Sequence, residues 1–358
     1  MTNVKDDVFH NRFSLSEWQE FGKASILDLI LSEEYGYRPQ SSKQKVQFIV
    51  AEEKHTDTIH IRKVYMLING YKMKFHLYVP EGKKHNKAFV FVLHEYVENT
   101  SSSDLVNDYQ SLKHYCDVDN VISRGYAIAF VSTKEVAPDK KYSKRASVIK
   151  ALGDKKTASS WGAIQAWSWA ASKVVDYFET LDDEIDLSKV AVIGHSRGGK
   201  TALLAASQDE RFLLAVSSCS GNSGAALARN NTGETIDVIT RAFPYWFCKN
   251  YKKYRNKEES LPFDQHQLIG LIAPRYVYVF SATGDSWACP KNELLSCRYA
   301  SQYFNLYGVD GLIAPEEIEV GKSYQNGHIA YHIKDGIHNI ETRDWNMIMD
   351  YFDKIGIN

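Results

Sequence analysis

No stretch of this 358-residue chain is apolar for long enough to cross a bilayer. Runs such as Ala88-Phe89-Val90-Phe91-Val92-Leu93 fall far short of the roughly 18 residues a spanning helix needs. A dominant charge is also missing: 43 Lys and Arg face 44 Asp and Glu, a net charge of -1. That leaves no electrostatic case for a nucleic-acid partner or an anionic membrane surface. Cysteine is scarce and odd in number: Cys116, Cys219, Cys248, Cys289 and Cys297. They lack metal-type spacing and read as reduced structural thiols, so neither a metal nor another cofactor is expected. The segment Met1–Asp7 has no apolar signal core, which predicts a cytoplasmic protein. No internal repeat, low-complexity tract or linker divides the chain, and one domain over 1–358 is expected.

Aromatic residues, by contrast, are abundant, with 22 Tyr and 7 Trp. They suit surfaces on which sugar rings stack. A hydrophobic content of 44% with 24% charged residues is that of a soluble globular chain.

The pattern changes along the chain. Residues 1–40 read as helix and loop, with Ser16-Glu17-Trp18-Gln19-Glu20-Phe21 opening a helical segment that packs on the rest. Residues 45–79 alternate with period two, as half-buried strands do. From residue 87 on, continuous apolar strands alternate with loops and helices: Phe89–Leu93, Ala127–Val131, Val190–Ile193, Leu213–Ser217 and Tyr276–Phe280. Strands buried on both faces read this way, so a mostly parallel sheet covered by helices is predicted. Ile164, Trp167, Ala171, Val174, Val175 and Phe178 recur at helical spacing across 160–178.

Within that alternation lies Gly194-His195-Ser196-Arg197-Gly198, after the strand run Lys189–Ile193 and before the helical run Lys200–Ala206. Strand, Gly-x-Ser-x-Gly, helix is the pattern of a nucleophile elbow. A turn that tight needs tiny flanking residues. It lifts the serine above the sheet and aims the first helix amides at a reacting carbonyl. A serine hydroxyl needs a histidine base, and the base needs an acid to orient it. On elbow folds the chain order is Ser, acid, His. Asp285 follows the strand run Arg275–Ser281, at the carboxyl end where ligands gather in open α/β sheets. His338 stands in the loop Asp335–Asn339, just before a last helix with Trp345, Ile348, Met349 and Phe352 on its core face. His332 falls in a predicted strand and reads as structural. Ser196, Asp285 and His338 are therefore the expected catalytic set, with Asp264 or Glu293 as the acids to test next.

An oxyanion hole is expected from the Arg197 amide and from the loop His94–Thr100, where Glu95 and Tyr96 are the candidates. The Arg197 guanidinium either joins that hole or ties down a neighbouring carboxylate. Lys200, one turn along the helix, either holds substrate or is simply solvated.

Gly194-His195-Ser196-Arg197-Gly198-Gly199-Lys200 resembles the G-C-S-R-x-G-K motif of glucuronoyl esterases, carbohydrate esterase family 15. It is closer still to the G-H-S-R-x-G-K-T-A-L of bacterial members often labelled acetylxylan esterase. The resemblance covers most of the chain. Ser220–Leu227 is similar to an S-G-x-G-G-A-A segment, and Phe243–Cys248 and Leu261–Arg275 are similar to later signatures. Asp285-Ser286-Trp287 matches a D-x-W in which Asp is the triad acid and Trp lines the sugar pocket. The resemblance implies an α/β-hydrolase fold and a cofactor-free serine esterase. It implies substrate contacts from Lys200 and Trp287, with Trp246 and Gln265 inside the later signatures.

Two departures stand out. Cys219 occupies the place where many members carry a glutamate, so Asp285 must serve as the acid alone. The histidine of the family's N-H-T is absent at Asn99-Thr100. The expected substrate is a small carbohydrate ester or oligosaccharide, either a glucuronoyl ester or an acetylated xylo-oligosaccharide. A non-catalytic sugar-binding relative, a peptidase and a dienelactone-type hydrolase are the rival readings.

Overall fold

The computed structural model describes residues 8–93, 115–141, 147–153 and 156–355. The alternating region becomes an antiparallel meander of β1 (Gln47–His55), β2 (Ile59–Ile68) and β3 (Tyr71–Pro80). The continuous apolar runs become β4 (Asn86–Leu93), β5 (Tyr126–Ser132), β6 (Ile185–His195), β7 (Phe212–Ser218) and β8 (Tyr276–Ala282). Two late strands, β9 (Ser323–Tyr324) and β10 (Ile329–Lys334), complete the set. All ten form one sheet in the order β1-β2-β3-β5-β4-β6-β7-β8-β10-β9. From β5 to β10 every neighbouring pair is parallel, and β3 joins β5 antiparallel. This mostly parallel sheet with helices on both faces is the expected α/β-hydrolase fold.

The faces explain the unbroken apolar strands. Along β4, Val90 and Val92 enter one core while Phe89 and Phe91 enter the other. The first core is closed by α1 (Lys23–Ile30), α2 (Ala163–Phe178), α3 (Arg197–Gln208), α4 (Gln265–Gly270) and α5 (Pro290–Asn305). The second is closed by α6 (Thr342–Ile355), whose Trp345, Ile348 and Phe352 pack on Phe89 and its neighbours.

The N-terminal helical segment opens at Leu15, one residue earlier than Ser16 suggested. Ser14 caps it, in a reciprocal capping box with Glu17. Trp18 is fully buried against Tyr303, with ring centroids 4.7 Å apart. Among the described residues no helix is long and apolar enough to cross a membrane.

Candidate active site

The elbow joins β6 to α3. Ser196 sits at φ 57° and ψ -123°, a backbone state that costs on the order of 1–3 kcal/mol for a residue with a Cβ. Its neighbours hold it there. The Ser196 amide donates to Ser218 O at 2.8 Å, and its carbonyl accepts from the Gly199 amide at 2.9 Å. The flanking glycines are sterically required. A Cβ at position 194 would lie 2.0 Å from the Gly198 carbonyl, and one at 198 would lie 2.4 Å from Val92 O. The turn closes only because both are absent. The first turn of α3 brings backbone amides, including that of Arg197, with no helical acceptor of their own.

Asp285 and His338 meet beside the elbow. His338 Nδ1 lies 2.6 Å from Asp285 Oδ2. Asp285 is 4% exposed, whereas the His338 side chain is 40% exposed. Burial works against the Asp285 charge. His338, the Ala288 amide and the Cys219 thiol outweigh it and hold the carboxyl below its ordinary range. The His338 ring is 4.5 Å from that of His195, the residue preceding Ser196. His195 is held in turn by Ser218 Oγ, 2.9 Å from its Nδ1, and burial pushes its pKa down to about 3. The histidine next to the serine is therefore neutral and fixed, and His338 is the ring open to solvent.

Arg197 is engaged. Its guanidinium pairs with Asp139 and lies over Trp246 and Phe243, 4.8 and 5.3 Å from the ring centroids. Trp246 stacks on Phe243 at 3.9 Å and donates Nε1–H to Asp139 Oδ1 at 2.6 Å. Tying down a carboxylate is thus the side chain's arrangement here. Trp246, 2% exposed, is its platform rather than an open sugar surface. Glu95 and Tyr96, with the rest of the His94–Thr100 loop, lie outside the described residues.

Lys200 is neither solvated nor free. It is 1% exposed, and Nζ donates to Ser220 O at 2.6 Å, to Asn222 O, and to Glu234 Oε2 at 2.7 Å. Three acceptors use all three of its protons. The partner it fixes was not among the sequence candidates. Glu234 Oε1 accepts Trp287 Nε1–H at 3.2 Å, so a buried ion pair sets the indole of a residue that is 51% exposed. Lys200, Glu234 and Trp287 form one connected unit whose open face is the tryptophan. Gln265 lies elsewhere, fully buried, with Nε2 donating to Glu34 Oε2 at 3.0 Å. The structure does not bring it to an open surface.

The remaining candidates hold the frame. His332 on β10 is buried between Tyr278 OH at 3.0 Å and Asp344 Oδ1 at 3.1 Å. Asp264 pairs with Arg229 at 3.0 Å and caps α4. Glu293 on α5 is fully buried and accepts from the Ser220 and Gly221 amides at 2.8 and 3.0 Å and from Ser281 Oγ at 2.6 Å. It clamps the loop after β7, which carries Cys219 and the carbonyls that hold Lys200. All five cysteines are free and buried.

This chain is similar to known proteins in fold and in sequence. The family model described as glucuronyl esterase, fungi, matches residues 100–308. A carbohydrate esterase of an unknown prokaryotic organism is 41% identical over 241 residues, covering 66% of this chain and 55% of that protein. A 4-O-methyl-glucuronoyl methylesterase of Phanerochaete chrysosporium is 32% identical over 155 residues, 41% of this chain and 33% of that one. The matches thus span about half and a third of these relatives' lengths. The solved glucuronoyl esterase from Solibacter usitatus superposes with a TM-score of 0.87 at 27% identity, covering 95% of this chain and 94% of its own.

Proposed function

From the premise that this chain belongs to the glucuronyl esterase family, we propose that it hydrolyses carboxylic esters of carbohydrate whose acid component is a uronic acid. Ser196 Oγ attacks the ester carbonyl. His338 accepts the serine proton and returns it to the leaving alcohol. Asp285 holds the imidazole in the tautomer that leaves its outer nitrogen free to accept, and stabilises the imidazolium. The Arg197 amide at the head of α3 donates to the oxyanion, with the helix dipole behind it. Water, deprotonated by the same histidine, then cleaves the acyl-enzyme and regenerates Ser196.

One observation carries this reading: the 2.6 Å Asp285–His338 contact beside the strained Ser196 turn. The uronate assignment rests on the Lys200–Glu234–Trp287 unit. A half-exposed indole, oriented by a buried carboxylate, suits one face of a sugar ring. The names of the relatives support it, one being a methylesterase of 4-O-methyl-glucuronate. The test is turnover of a methyl glucuronate ester beside that of an acetylated xylo-oligosaccharide. Preference for the first is expected. Brisk deacetylation with no uronate-ester turnover would assign the chain as an acetyl esterase.

A further inference from the structure

Cys219 takes no step of the hydrolysis described above, yet it stands against the acid–base pair. It follows β7 at φ 45°, anchored by its amide to Phe280 O at 2.8 Å. That turn leaves its thiol beside the Asp285–His338 pair. Cys219 Sγ, a carboxylate oxygen of Asp285 and a ring nitrogen of His338 all lie within 4.8 Å of one another. Two of the three donors are buried, and the third, His338, opens to solvent.

We propose that these three side chains form a binding site for zinc or another thiophilic divalent cation, and that occupancy switches the esterase off. The donor set is one thiolate, one imidazole and one carboxylate, each an ordinary zinc ligand. Zinc–ligand bonds of about 2.0–2.3 Å place tetrahedral donors roughly 3.3–3.7 Å apart. The cluster therefore reaches that geometry through shifts of about an ångström. Opening the Asp285–His338 contact from its present 2.6 Å is one of them. Water or an anion would complete the four-coordinate shell.

The exchange of protons is simple. The cation displaces the thiol proton, which leaves to solvent, and takes the His338 nitrogen now directed at Asp285. The imidazole proton then resides on the other ring nitrogen. A ring protonated there cannot accept the serine proton, so hydrolysis stops until the cation is withdrawn. The thiol's burial keeps it from bulky alkylating reagents, whereas a small ion enters past the exposed imidazole. Inhibition rests on the catalytic role proposed for His338; binding does not.

The two are therefore measured separately. Ester turnover is followed across a zinc series in the chain and in Cys219→Ser, each scaled to its own metal-free rate. Zinc should inhibit the parent, with recovery on adding a chelator. The half-inhibiting concentration should rise at least about tenfold in Cys219→Ser, since loss of even an outer partner costs metal sites 10–100-fold. An unchanged concentration, or a parent insensitive to zinc, overturns the site. Binding is read from the thiolate-to-cadmium charge-transfer band, which needs no activity. The parent should show it, and it should weaken in both Cys219→Ser and His338→Ala, the second a change at an exposed residue that leaves the core untouched. A band that persists in Cys219→Ser places the cation on another thiol. Binding without inhibition places it clear of His338, and either result overturns the proposal. An inactive parent that still shows the cysteine- and histidine-dependent band would sink the esterase reading while leaving the metal site standing.

Discussion

Asp285 Oδ2 and His338 Nδ1 are 2.6 Å apart although 53 residues separate them in the chain. Two parallel neighbours, β8 and β10, bring them together, because each residue lies just beyond the carboxyl end of its strand. The contact specifies a tautomer, and that gives the first prediction. Asp285→Asn keeps the shape but offers an amide, which favours the wrong tautomer. Turnover should fall by roughly 10⁴, as it does in the serine-protease triad, with the thermal midpoint nearly unchanged. A loss under tenfold would hand the acid role to another carboxylate.

Removing the nucleophile or the base should be at least as severe. Ser196→Ala and His338→Ala should each lose on the order of a million-fold in kcat. His332→Ala should act differently. It strips a buried ring from between Tyr278 and Asp344 and should lower the melting temperature first. If His332→Ala abolished activity in a fully folded protein while His338→Ala did not, the base would be misassigned.

Much of this was legible in the chain. A strand buried on both faces must be continuously apolar, so the parallel core announced itself from Phe89 to Phe280. Positions just past those runs then pointed to Ser196, Asp285 and, ahead of an amphipathic last helix, His338. Strand β9 has two residues, too few for any periodicity. Glu234 and Asp139 reach the site from irregular segments with no pattern to betray them. Burial direction was equally hidden: the motifs holding Trp246 and Gln265 say that these side chains are needed, not which way they point. The Cys219 cluster has no sequence signature, since its members lie on three separate loops.

In the mechanism proposed above the alcohol half of the ester leaves on the His338 side, and the neighbouring Ile337 is 67% exposed. An apolar alcohol would cover it. Burying such a side chain is worth about 1.5–3 kcal/mol when complete. Ile337→Ser should therefore cut kcat/KM for a benzyl uronate ester by about 5–30-fold while changing the methyl ester less than twofold. Equal effects on both esters would mean that Ile337 serves the loop rather than the leaving group.

Trp287 and Lys200 should separate cleanly. Trp287→Ala removes a half-exposed indole and should spare the fold. It should lower uronate-ester turnover by tenfold or more while leaving a small acetate ester nearly untouched, because remote contacts help only substrates that reach them. Lys200→Ala leaves Glu234 buried without its cation and two carbonyls without donors. Breaking a buried pair this way costs about 3–5 kcal/mol, so both substrates should suffer and the denaturation midpoint should drop. A stable Lys200→Ala protein with a selective uronate defect would contradict the bonding described for this side chain.

Two opposed sets of buried groups should shape stability against pH. His76, His195 and His266 are pushed down to about 3 by burial. A depressed histidine contributes stability that is fully present above its unfolded value, near 6.5, and is lost as pH falls. Glu34 and Glu293 are pushed up to about 7, again chiefly by burial. The folded state then binds protons that the unfolded chain has already released. Their contribution is full below the ordinary glutamate value and is lost as pH rises towards 7, on the order of 3 kcal/mol per group. The sum should peak near pH 6.5, with the histidines dominating the acid side. Glu34→Gln isolates one member. Glu34 Oε1 and Gln265 Oε1 both lack a hydrogen-bond partner among the described residues, and an amide supplies the donor that an ionised carboxylate cannot. The thermal midpoint of Glu34→Gln, relative to the parent, should climb steadily from pH 4.5 to 7 and then level. A difference that is flat across that window would mean that Glu34 ionises in the folded protein as readily as in the unfolded one.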